Sequence, residues 1–438
     1  MTESPSSEAV STKLQRIAET ARRMPETALT SLSHHIDVEW LREAFLRVRP
    51  DGAVGVDGQT WHDYSKDLDT NLQSLLSRFK SGSYRAPPVR RAYIPKADGD
   101  RRPIGIPTLE DKVLQRAVAM ALSAVYEQDF LPSSYGFRPG RGAHDALHAL
   151  RGQVMDMWRG WLIEVDIRRF FDTLDHRQLR EILERRVRDG VILRQIGKWL
   201  NAGVLEAGGV SFAEAGTPQG GVISPLLANI YLHTVLDRWL VDEIRPHAHG
   251  NVELVRYADD FVIVCRAEHD ARAIFAALPK RFETYGLKLH PEKTRLICFD
   301  QPRGRHKREA MSFDFLGFTH TWMKSRKGIW VLFQVTARKR LTRSLDAIRA
   351  WLAKNRHASI EAQHRSLSAK LLGHYAYFGL PGNALGLQRI RSEVRREWRK
   401  ALSRRSWGGR VFWRRFREIE QRFQLPYGHI RQMARCIP

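Results

Sequence analysis

The chain has few cysteines and no long apolar run. Its 438 residues include only three cysteines, Cys265, Cys298 and Cys436. They lie far apart and without Cys-x-x-Cys spacing, which excludes a disulfide framework and a four-cysteine zinc site. No apolar run approaches the ~20 residues that span a bilayer, and the polar N-terminus is unlike a signal peptide. We therefore expect a protein of the cytoplasm that has no membrane partner.

Acidic residues are scarce in one part of the chain. The whole sequence has 72 Lys and Arg against 48 Asp and Glu, a net charge of +24. Residues 321–438 hold 27 of these basic residues and only 6 acidic ones, so they carry +21, and the other 320 residues carry +3. A concentrated basic excess repels itself unless a polyanion binds it. The distribution predicts a C-terminal module that binds nucleic acid, with a membrane surface as the alternative.

The length and the 43% of hydrophobic residues are sufficient for two or three domains. The polar composition of residues 1–35 predicts a mobile tail with one short helical stretch. Apolar periodicity and turn residues predict the other elements. In chain order these are strands within 89–107, a helix over 109–128, a strand over 161–167, a helix over 224–240, a hairpin over 254–265, a strand over 328–333, and basic helices after that.

Three aspartates stand at the ends of predicted strands. Asp166 ends one strand, and Asp259 and Asp260 form the turn of the hairpin. Crowded carboxylates are costly unless a cation lies between them. Hard oxygen ligands select Mg²⁺, and a pair of such ions can clamp a phosphoryl transfer. Taken alone, acidic residues in a turn are more often structural.

Motifs around these aspartates resemble those of reverse transcriptases. Tyr257-Ala258-Asp259-Asp260 matches the YxDD signature of that class, and residues 166–172, DIRRFFD, resemble the motif that supplies its first metal-binding aspartate. Between them, residues 216–231, GTPQGGVISPLLANIY, resemble the PQG block of group II intron reverse transcriptases. The three motifs stand in the family's order. Similar motifs extend from about residue 36 to about residue 425.

On these motifs the chain is identified as a bacterial group II intron-encoded reverse transcriptase/maturase of the type that lacks an endonuclease. The resemblance implies an α+β fold of the right-hand polymerase kind, with fingers, a palm built on an antiparallel sheet, and a helical thumb. The implied domains are a mobile N-terminal tail (1–35), an N-terminal extension and fingers (36–160), a palm with interleaved fingers elements (161–320), a helical thumb or maturase X domain (321–390), and a basic nucleic-acid-binding segment (391–438).

The resemblance also implies roles for individual residues. Two Mg²⁺ ions would be held by Asp166, the Ile167 backbone carbonyl, Asp259 and Asp260. The incoming nucleotide would contact four residues, namely Lys96, Arg102, Phe171 and Gln219. Primer and template would contact Leu316, Gly317 and Lys293. Phe171 would exclude a 2′-hydroxyl by its shape, and the alternative for that ring is a position in the core. For Lys293, a solvated side chain without a ligand is an equal alternative.

Basic residues of the C-terminal region alternate with aromatic ones, a pattern suited to phosphates and unpaired bases. The predicted RNA contacts are Arg338, Lys339, Arg340, Arg395, Arg396, Arg399 and Lys400. About half of the neighbouring aromatic side chains are expected to be helix core instead. The spacing does not separate the two groups.

The family resemblance predicts an RNA-directed DNA polymerase that copies intron RNA into DNA, and a maturase that binds intron RNA to assist splicing and mobility. The expected partners are intron RNA and RNA template, a DNA primer or target DNA, and dNTPs, in the bacterial cytosol near the nucleoid. The alternative is a domesticated group II-like or retron-type enzyme acting in DNA repair or phage defence. Retron enzymes carry a Val-Thr-Gly signature, whereas this chain has Val335-Thr336-Ala337.

Overall fold

The chain forms two compact units. A computed structural model describes residues 5–95, 101–206, 209–211, 220–302, 311–405 and 409–430. The first unit comprises Met1–Gln153 and Gly160–Ile297, and the second comprises Val154–Arg159 and Cys298–Pro438. Residues 298–320, which the sequence assigns to the palm, therefore group with the C-terminal unit. The finer division into fingers, palm and thumb stays a prediction.

The first unit has helix α5 near its centre. This helix is buried on all its faces and contacts α1, α2, α3 and α10. The side chain of Thr108 caps its N-terminus by accepting a hydrogen bond from the Asp111 backbone N–H. The helices of this unit are α1 (Pro5–Arg23), α2 (Val38–Leu46), α3 (Trp61–Ser65), α4 (Leu68–Ser81), α5 (Leu109–Tyr126), α6 (Ala143–Met157, whose last residues belong to the second unit), α7 (Phe170–Thr173), α8 (His176–Glu184), α9 (Gly190–Leu200), α10 (Ser224–Leu232) and α11 (Glu268–Thr284).

The N-terminal segment differs from the expectation of a mobile tail over residues 1–35. Pro5–Arg23 is a 19-residue helix that packs against α5. Val10, Ile17 and Ala21 are buried on one of its faces. Their spacing of seven and four residues is the repeat of a helix face. A few apolar residues among many polar ones are therefore sufficient to anchor this helix.

Two sheets belong to the first unit. One has the strand order β2-β1-β4-β5, and the other, which we call the palm sheet, has the order β6-β7-β3-β8. Strand β7 lies inside the palm sheet, and all its residues after Asp260 are buried. The strands are β1 (Val89–Pro95), β2 (Arg101–Ile106), β3 (Trp161–Val165), β4 (Val204–Glu206), β5 (Gly209–Ser211), β6 (Val252–Tyr257), β7 (Asp260–Cys265) and β8 (Arg295–Cys298).

The helix that begins at Ser224 changes its winding. After α10, His233–Arg238 and Leu240–Ile244 are π-helical, and Arg245–His247 is a 3₁₀ turn. π-Helical turns are frequent at functional sites. The π-helical segment includes Asp237, which is fully buried.

The second unit combines a small antiparallel sheet with helices. Its strands, in the order β11-β10-β9, are β9 (Ser312–Phe315), β10 (Phe318–Lys324) and β11 (Trp330–Thr336). Its helices are α12 (Arg338–Lys354), α13 (Ile360–Phe378), α14 (Ala384–Ser403) and α15 (Trp413–Arg422). Helices α12, α13 and α14 each bury a stripe of apolar side chains, as an amphipathic helix does. Helix α15 buries Phe416.

The mixture of helices and mainly antiparallel sheets agrees with the predicted α+β class. Within the described ranges, no helix has both the length and the apolar character needed to cross a membrane.

Candidate active site

The hairpin of β6 and β7 presents two aspartates at its turn. Tyr257 pairs with Asp260, so Ala258 and Asp259 form a two-residue loop. Ala258 has φ +57°, in the left-handed region that favours glycine. A strained residue in so short a turn persists only where the surrounding structure holds it.

Strand register brings Asp166 to the same end of the palm sheet. Strand β3 is antiparallel to β7, and Val165 pairs with Phe261. The next residues along the two strands are Asp166 and Asp260. Residues opposite each other on antiparallel strands have Cβ atoms about 4.5–5.5 Å apart. The register therefore places these two aspartates side by side, with Asp259 one residue away.

The backbone of Ile167 also faces this turn. On the other side of the strand, the Arg168 N–H donates to the Lys288 carbonyl and the His290 N–H donates to the Asp166 carbonyl, both at 2.8 Å. Successive residues of a strand direct their carbonyls to opposite sides. The Ile167 carbonyl is therefore directed toward β7, the strand that begins with Asp260.

The Asp166 carboxylate has a cationic partner. The Lys293 Nζ lies 2.8 Å from its Oδ2. The oxygens of Asp166, Asp259 and Asp260 do not all lie within 4.8 Å of one another. Carboxylates repel each other without a cation between them, and here the Lys293 ammonium neutralises one of the three.

A buried ion pair lies beneath the strained turn. Arg256 Nε and Nη2 donate to the two carboxylate oxygens of Asp237 at 2.8 and 2.6 Å, and neither side chain is exposed. Arg256 Nη1 donates to Asn229 Oδ1 at 2.8 Å and to the Ala258 carbonyl at 3.1 Å. Burial would raise the pKa of the Asp237 carboxyl, but the charge of Arg256 and the hydrogen bonds that it donates hold that pKa below its usual value. The guanidinium thus connects the turn to the helical segment.

Gly136 allows a neighbouring loop to approach the same turn. A Cβ at this position would lie 2.4 Å from the backbone nitrogen of Ala258. The Gly136 carbonyl accepts a hydrogen bond from Asn229 Nδ2 at 2.7 Å. The loop adds to β6 through the Tyr135 N–H, which donates to the Arg256 carbonyl at 2.9 Å. Only glycine permits this contact.

Sequence reasoning missed Asn229, Asp237 and Arg256. Their signal is polarity in apolar surroundings, because Asn229 and Asp237 interrupt a long apolar helix and Arg256 follows Leu254-Val255 within a buried strand. Buried polar groups of this kind are paired or functional. Their mutual pairing depends on the tertiary fold and cannot be read from spacing.

The predicted nucleotide contacts are only partly covered by the structure. Lys96 and Gln219 lie outside the described residues, as does the side chain of Arg102, whose backbone pairs with Ile94 in β1–β2. Phe171 is half-buried on α7, and its ring lies edge-on to Phe170 with centroids 5.3 Å apart. That position fits both a nucleotide contact and a core residue.

Leu316 and Gly317, the predicted primer contacts, lie in the second unit. They form the two-residue turn between β9 and β10, with φ values of +49° and +80°. The Leu316 carbonyl accepts from the Tyr377 hydroxyl at 2.9 Å, and the Gly317 carbonyl accepts from the Ala337 N–H at 3.0 Å. Two positive φ values are typical of a type I′ hairpin turn.

The predicted RNA contacts divide into two groups. Arg395 pairs with both oxygens of Glu420, and Arg399 donates to the Val411 carbonyl and lies 4.6 Å from the Trp413 ring centroid. These two arginines have structural partners in α15 and the segment before it. The second group is more exposed to solvent than Arg395 and Arg399. Its members are Arg338, Lys339, Arg340, Arg396 and Lys400.

The first three of these, Arg338 to Arg340, open helix α12, whose first turn has no acidic residue. Cations are unfavourable at a helix N-terminus, where the partial charge is already positive. A phosphate would be bound there by the helix end and the side chains together.

Comparison with known proteins identifies the family. Residues 94–320 match the family described as reverse transcriptase (RNA-dependent DNA polymerase). Protein YkfC of Escherichia coli (strain K12) is 38% identical over 259 residues, which cover 52% of this chain and 68% of YkfC. Group II intron-encoded protein LtrA of Lactococcus lactis subsp. cremoris is 40% identical over 174 residues, 40% of this chain and 28% of LtrA. Nuclear intron maturase 4, mitochondrial, of Arabidopsis thaliana is 28% identical over 196 residues, 44% of this chain and 23% of the maturase.

The matched region includes all three aspartates at the end of the palm sheet. The chain spans two thirds of YkfC but less than a third of LtrA and of the plant maturase. These matches confirm the family predicted from the motifs. The chain belongs to the reverse transcriptase (RNA-dependent DNA polymerase) family and is similar to group II intron-encoded proteins.

Proposed function

We propose that this protein is an RNA-directed DNA polymerase that copies intron RNA into DNA and also acts as a maturase. The observation that carries the polymerase proposal is the register of the palm sheet, which brings Asp166 beside Asp260. The reacting groups would be a primer 3′-hydroxyl and the α-phosphate of a dNTP. The names of LtrA and the plant maturase favour the intron function over domestication or a retron-type role.

The residues at the turn fit a divalent metal. Reverse transcriptases are generally dependent on such an ion. The side chains of Asp166, Asp259 and Asp260 and the Ile167 carbonyl offer only oxygen donors, the set that Mg²⁺ prefers. Two bound Mg²⁺ ions would stabilise charge on the attacking oxygen and on the leaving pyrophosphate.

The chain's own residues fix where this chemistry takes place. Arg256 and Gly136 hold the turn, so Asp259 is presented in one place. Lys293 pairs with Asp166 and is proposed to contact primer or template. Lys96, Arg102, Phe171 and Gln219 are proposed to bind the nucleotide, and Leu316 and Gly317 the primer, within a right-hand arrangement of fingers, palm and thumb.

The maturase proposal rests on charge and on the relatives. The second unit contains the basic residues 321–438, with a net charge of +21. Arg338, Lys339 and Arg340 at the N-terminus of α12 form an arrangement that a phosphate would stabilise. We propose intron RNA, the RNA template and a DNA primer or target as partners, in the cytoplasm.

Primer extension tests the polymerase. The full-length protein should extend a DNA primer annealed to RNA with dNTPs and Mg²⁺, and EDTA should stop it. Asp259→Ala and Asp260→Ala should each lower the rate by at least ~100-fold, since metal ions contribute several kcal/mol to charge stabilisation. Asp51→Ala, at an exposed turn position, is the matched control and should keep the wild-type rate.

Thermal melts monitored by circular dichroism would show whether the variants are folded. Wild-type extension by both aspartate variants would overturn the assignment. A folded wild-type protein that extends no primer on RNA would overturn the polymerase function itself.

A further inference from the structure

A second group of possible metal ligands lies at the other end of the β6–β7 hairpin. His249 stands in the loop before β6, and His269 and Asp270 lie in the first turn of α11. Within the part of the chain that the structure describes, these are the only three His, Cys, Asp or Glu side chains whose ligand atoms all lie within 4.8 Å of one another. Six residues of β6 separate this group from the catalytic turn, about 20 Å of strand.

The distances within the group approach those of a tetrahedral ion site. His249 Nδ1 lies 3.0 Å from Asp270 Oδ1, and His269 Nδ1 lies 3.6 Å from the same oxygen. With metal–ligand bonds of about 2.0–2.1 Å, neighbouring ligands of a tetrahedral Zn²⁺ are roughly 3.3 Å apart. Both distances to Asp270 are therefore within a few tenths of an ångström of that value, and the ligand atoms of the two histidines lie within 4.8 Å of each other.

The carboxylate of this group is held in place. Asp270 is 5% exposed, and its Oδ2 accepts a hydrogen bond from the Gly250 N–H at 2.9 Å. A hydrogen bond to the second oxygen orients a ligating carboxylate. The imidazoles are 70% and 77% exposed, so an ion can enter from solvent.

We propose that His249, His269 and Asp270 bind one Zn²⁺ or a similar borderline transition-metal ion. Two imidazole nitrogens and one carboxylate oxygen form a donor set suited to such ions rather than to Mg²⁺. Solvent would complete the coordination. The ion would fasten the loop at residues 248–250 to the start of α11, and its role would be to stabilise this end of the palm sheet. This site is independent of the proposed polymerase function.

Binding of Zn²⁺ alone tests the proposal. Full-length protein without an affinity tag would be titrated with zinc chloride by isothermal calorimetry in a buffer that contains Mg²⁺. We expect one site that is tighter than the background of other histidines, and a higher melting temperature with Zn²⁺. The double variant His249→Gln, His269→Gln should bind at least roughly tenfold more weakly and lose the rise in melting temperature.

His357→Gln, an exposed histidine of the second unit, is the matched control and should bind Zn²⁺ as the wild type does. Each of the single variants His249→Gln and His269→Gln should weaken binding without changing the melt in EDTA, because both rings are exposed. Equal affinity and stoichiometry in the double variant and the wild type would overturn the proposal. A second result would also overturn it: in EDTA the double variant melts at a lower temperature than the wild type, and Zn²⁺ leaves the melting temperature of the wild type unchanged. The histidines would then act only through a hydrogen bond to Asp270.

Discussion

Asp111, at the start of α5, is a buried carboxylate whose described hydrogen-bond partners are all neutral. The Tyr84 hydroxyl, the Trp199 indole and the Gln115 amide donate to it at 3.1, 2.6 and 2.9 Å. The Gln115 carbonyl oxygen in turn accepts from the Val222 N–H at 2.7 Å, close after the PQG motif. Burial raises the pKa of Asp111 to about 6, although the three donors oppose the shift.

This pKa predicts a pH dependence of stability. The unfolded carboxyl has the ordinary pKa of 3.8, so the folded state binds the proton more tightly. The resulting stabilisation is complete below the unfolded pKa and is lost as the pH rises through about 6. The unfolding free energy of the wild type, relative to Asp111→Asn, should therefore fall by about 1 kcal/mol between about pH 5 and about pH 7.5.

Urea titrations at the two pH values measure this change. Asp51 is exposed, and the variant Asp51→Asn serves as the control. Its unfolding free energy should differ from that of the wild type by the same amount at both pH values. A pH-independent difference for Asp111→Asn would mean that the buried carboxyl does not titrate in this range.

For Phe171, the sequence and the structure are consistent with two roles, a nucleotide contact and a core residue. Its ring is half-buried against Phe170, five residues after Asp166. If the ring excludes the 2′-hydroxyl, Phe171→Ala should raise incorporation of ribonucleotides relative to deoxynucleotides by roughly tenfold or more, since a steric clash of ~1.4 kcal/mol already accounts for that factor. Competitive primer extension gives the ratio. An unchanged ratio together with a lower melting temperature would assign Phe171 to the core.

At the scale of elements, the palm hairpin was predictable and its support was not. Runs of β-branched and other apolar residues on both sides of Ala258-Asp259 predict β6 and β7, because the signal is local. The length and packing of helix α1 were missed, since the helix packs against α5 and its own sequence is mostly polar. The ion pair of Arg256 and Asp237 likewise joins elements distant in sequence. Long-range pairing is what single-sequence patterns do not contain.

Substitutions in the Arg256–Asp237 ion pair should separate an effect on the stability of the protein from an effect on its primer extension. Arg256→Met leaves the Asp237 carboxylate buried without its partner, which should cost about 3–5 kcal/mol of unfolding free energy. Adding Asp237→Leu removes that charge and should restore most of the stability. Primer extension should stay roughly tenfold slower in the double variant, because the Ala258 carbonyl has lost a donor worth about 1.4 kcal/mol.

Urea unfolding and the kcat of primer extension are the two measurements for this pair. The double variant Val255→Ala, Leu240→Ala, which removes buried apolar groups from β6 and from the π-helical segment next to that of Asp237, is the control for general loosening. A stable Arg256→Met, Asp237→Leu protein with wild-type kcat would mean that the pair only packs and does not position the turn.

At the scale of the whole molecule, the feature that sequence alone predicts best is the distribution of charge. The structure refines it, because Arg395 and Arg399 are engaged with Glu420 and Trp413 and their loss would disturb the fold. Composition alone does not show which of these cations have partners within the second unit. The exposed cations are therefore the ones to change in a test of RNA binding.

Neutralising these cations should weaken binding of structured RNA. The test variant carries glutamine at Arg338, Lys339, Arg396 and Lys400. Each lost phosphate contact lowers the slope of log K against log salt by roughly 0.7–0.9, so the slope should fall by about three. Filter binding over a salt series measures it. The control carries glutamine at four exposed cations of the first unit that also pair with acidic residues, namely Lys66, Arg177, Arg180 and Arg272.

An equal fall of the slope in both variants would contradict a dedicated RNA surface in the second unit. An unchanged slope in the test variant would assign its cations to solubility alone.

The contacts around the turn of Ala258 and Asp259 join segments that are far apart along the chain. Asn229 bonds to a carbonyl 93 residues earlier, and the Asp166 carbonyl accepts from the backbone of His290. Closing such long loops precedes any gain from the contacts they bring, so the turn is ordered late in folding. A ribosome must therefore release the chain beyond residue 290 before the three aspartates can be held together. Chains that end before residue 290 would carry the motif without the backbone contact that holds Asp166.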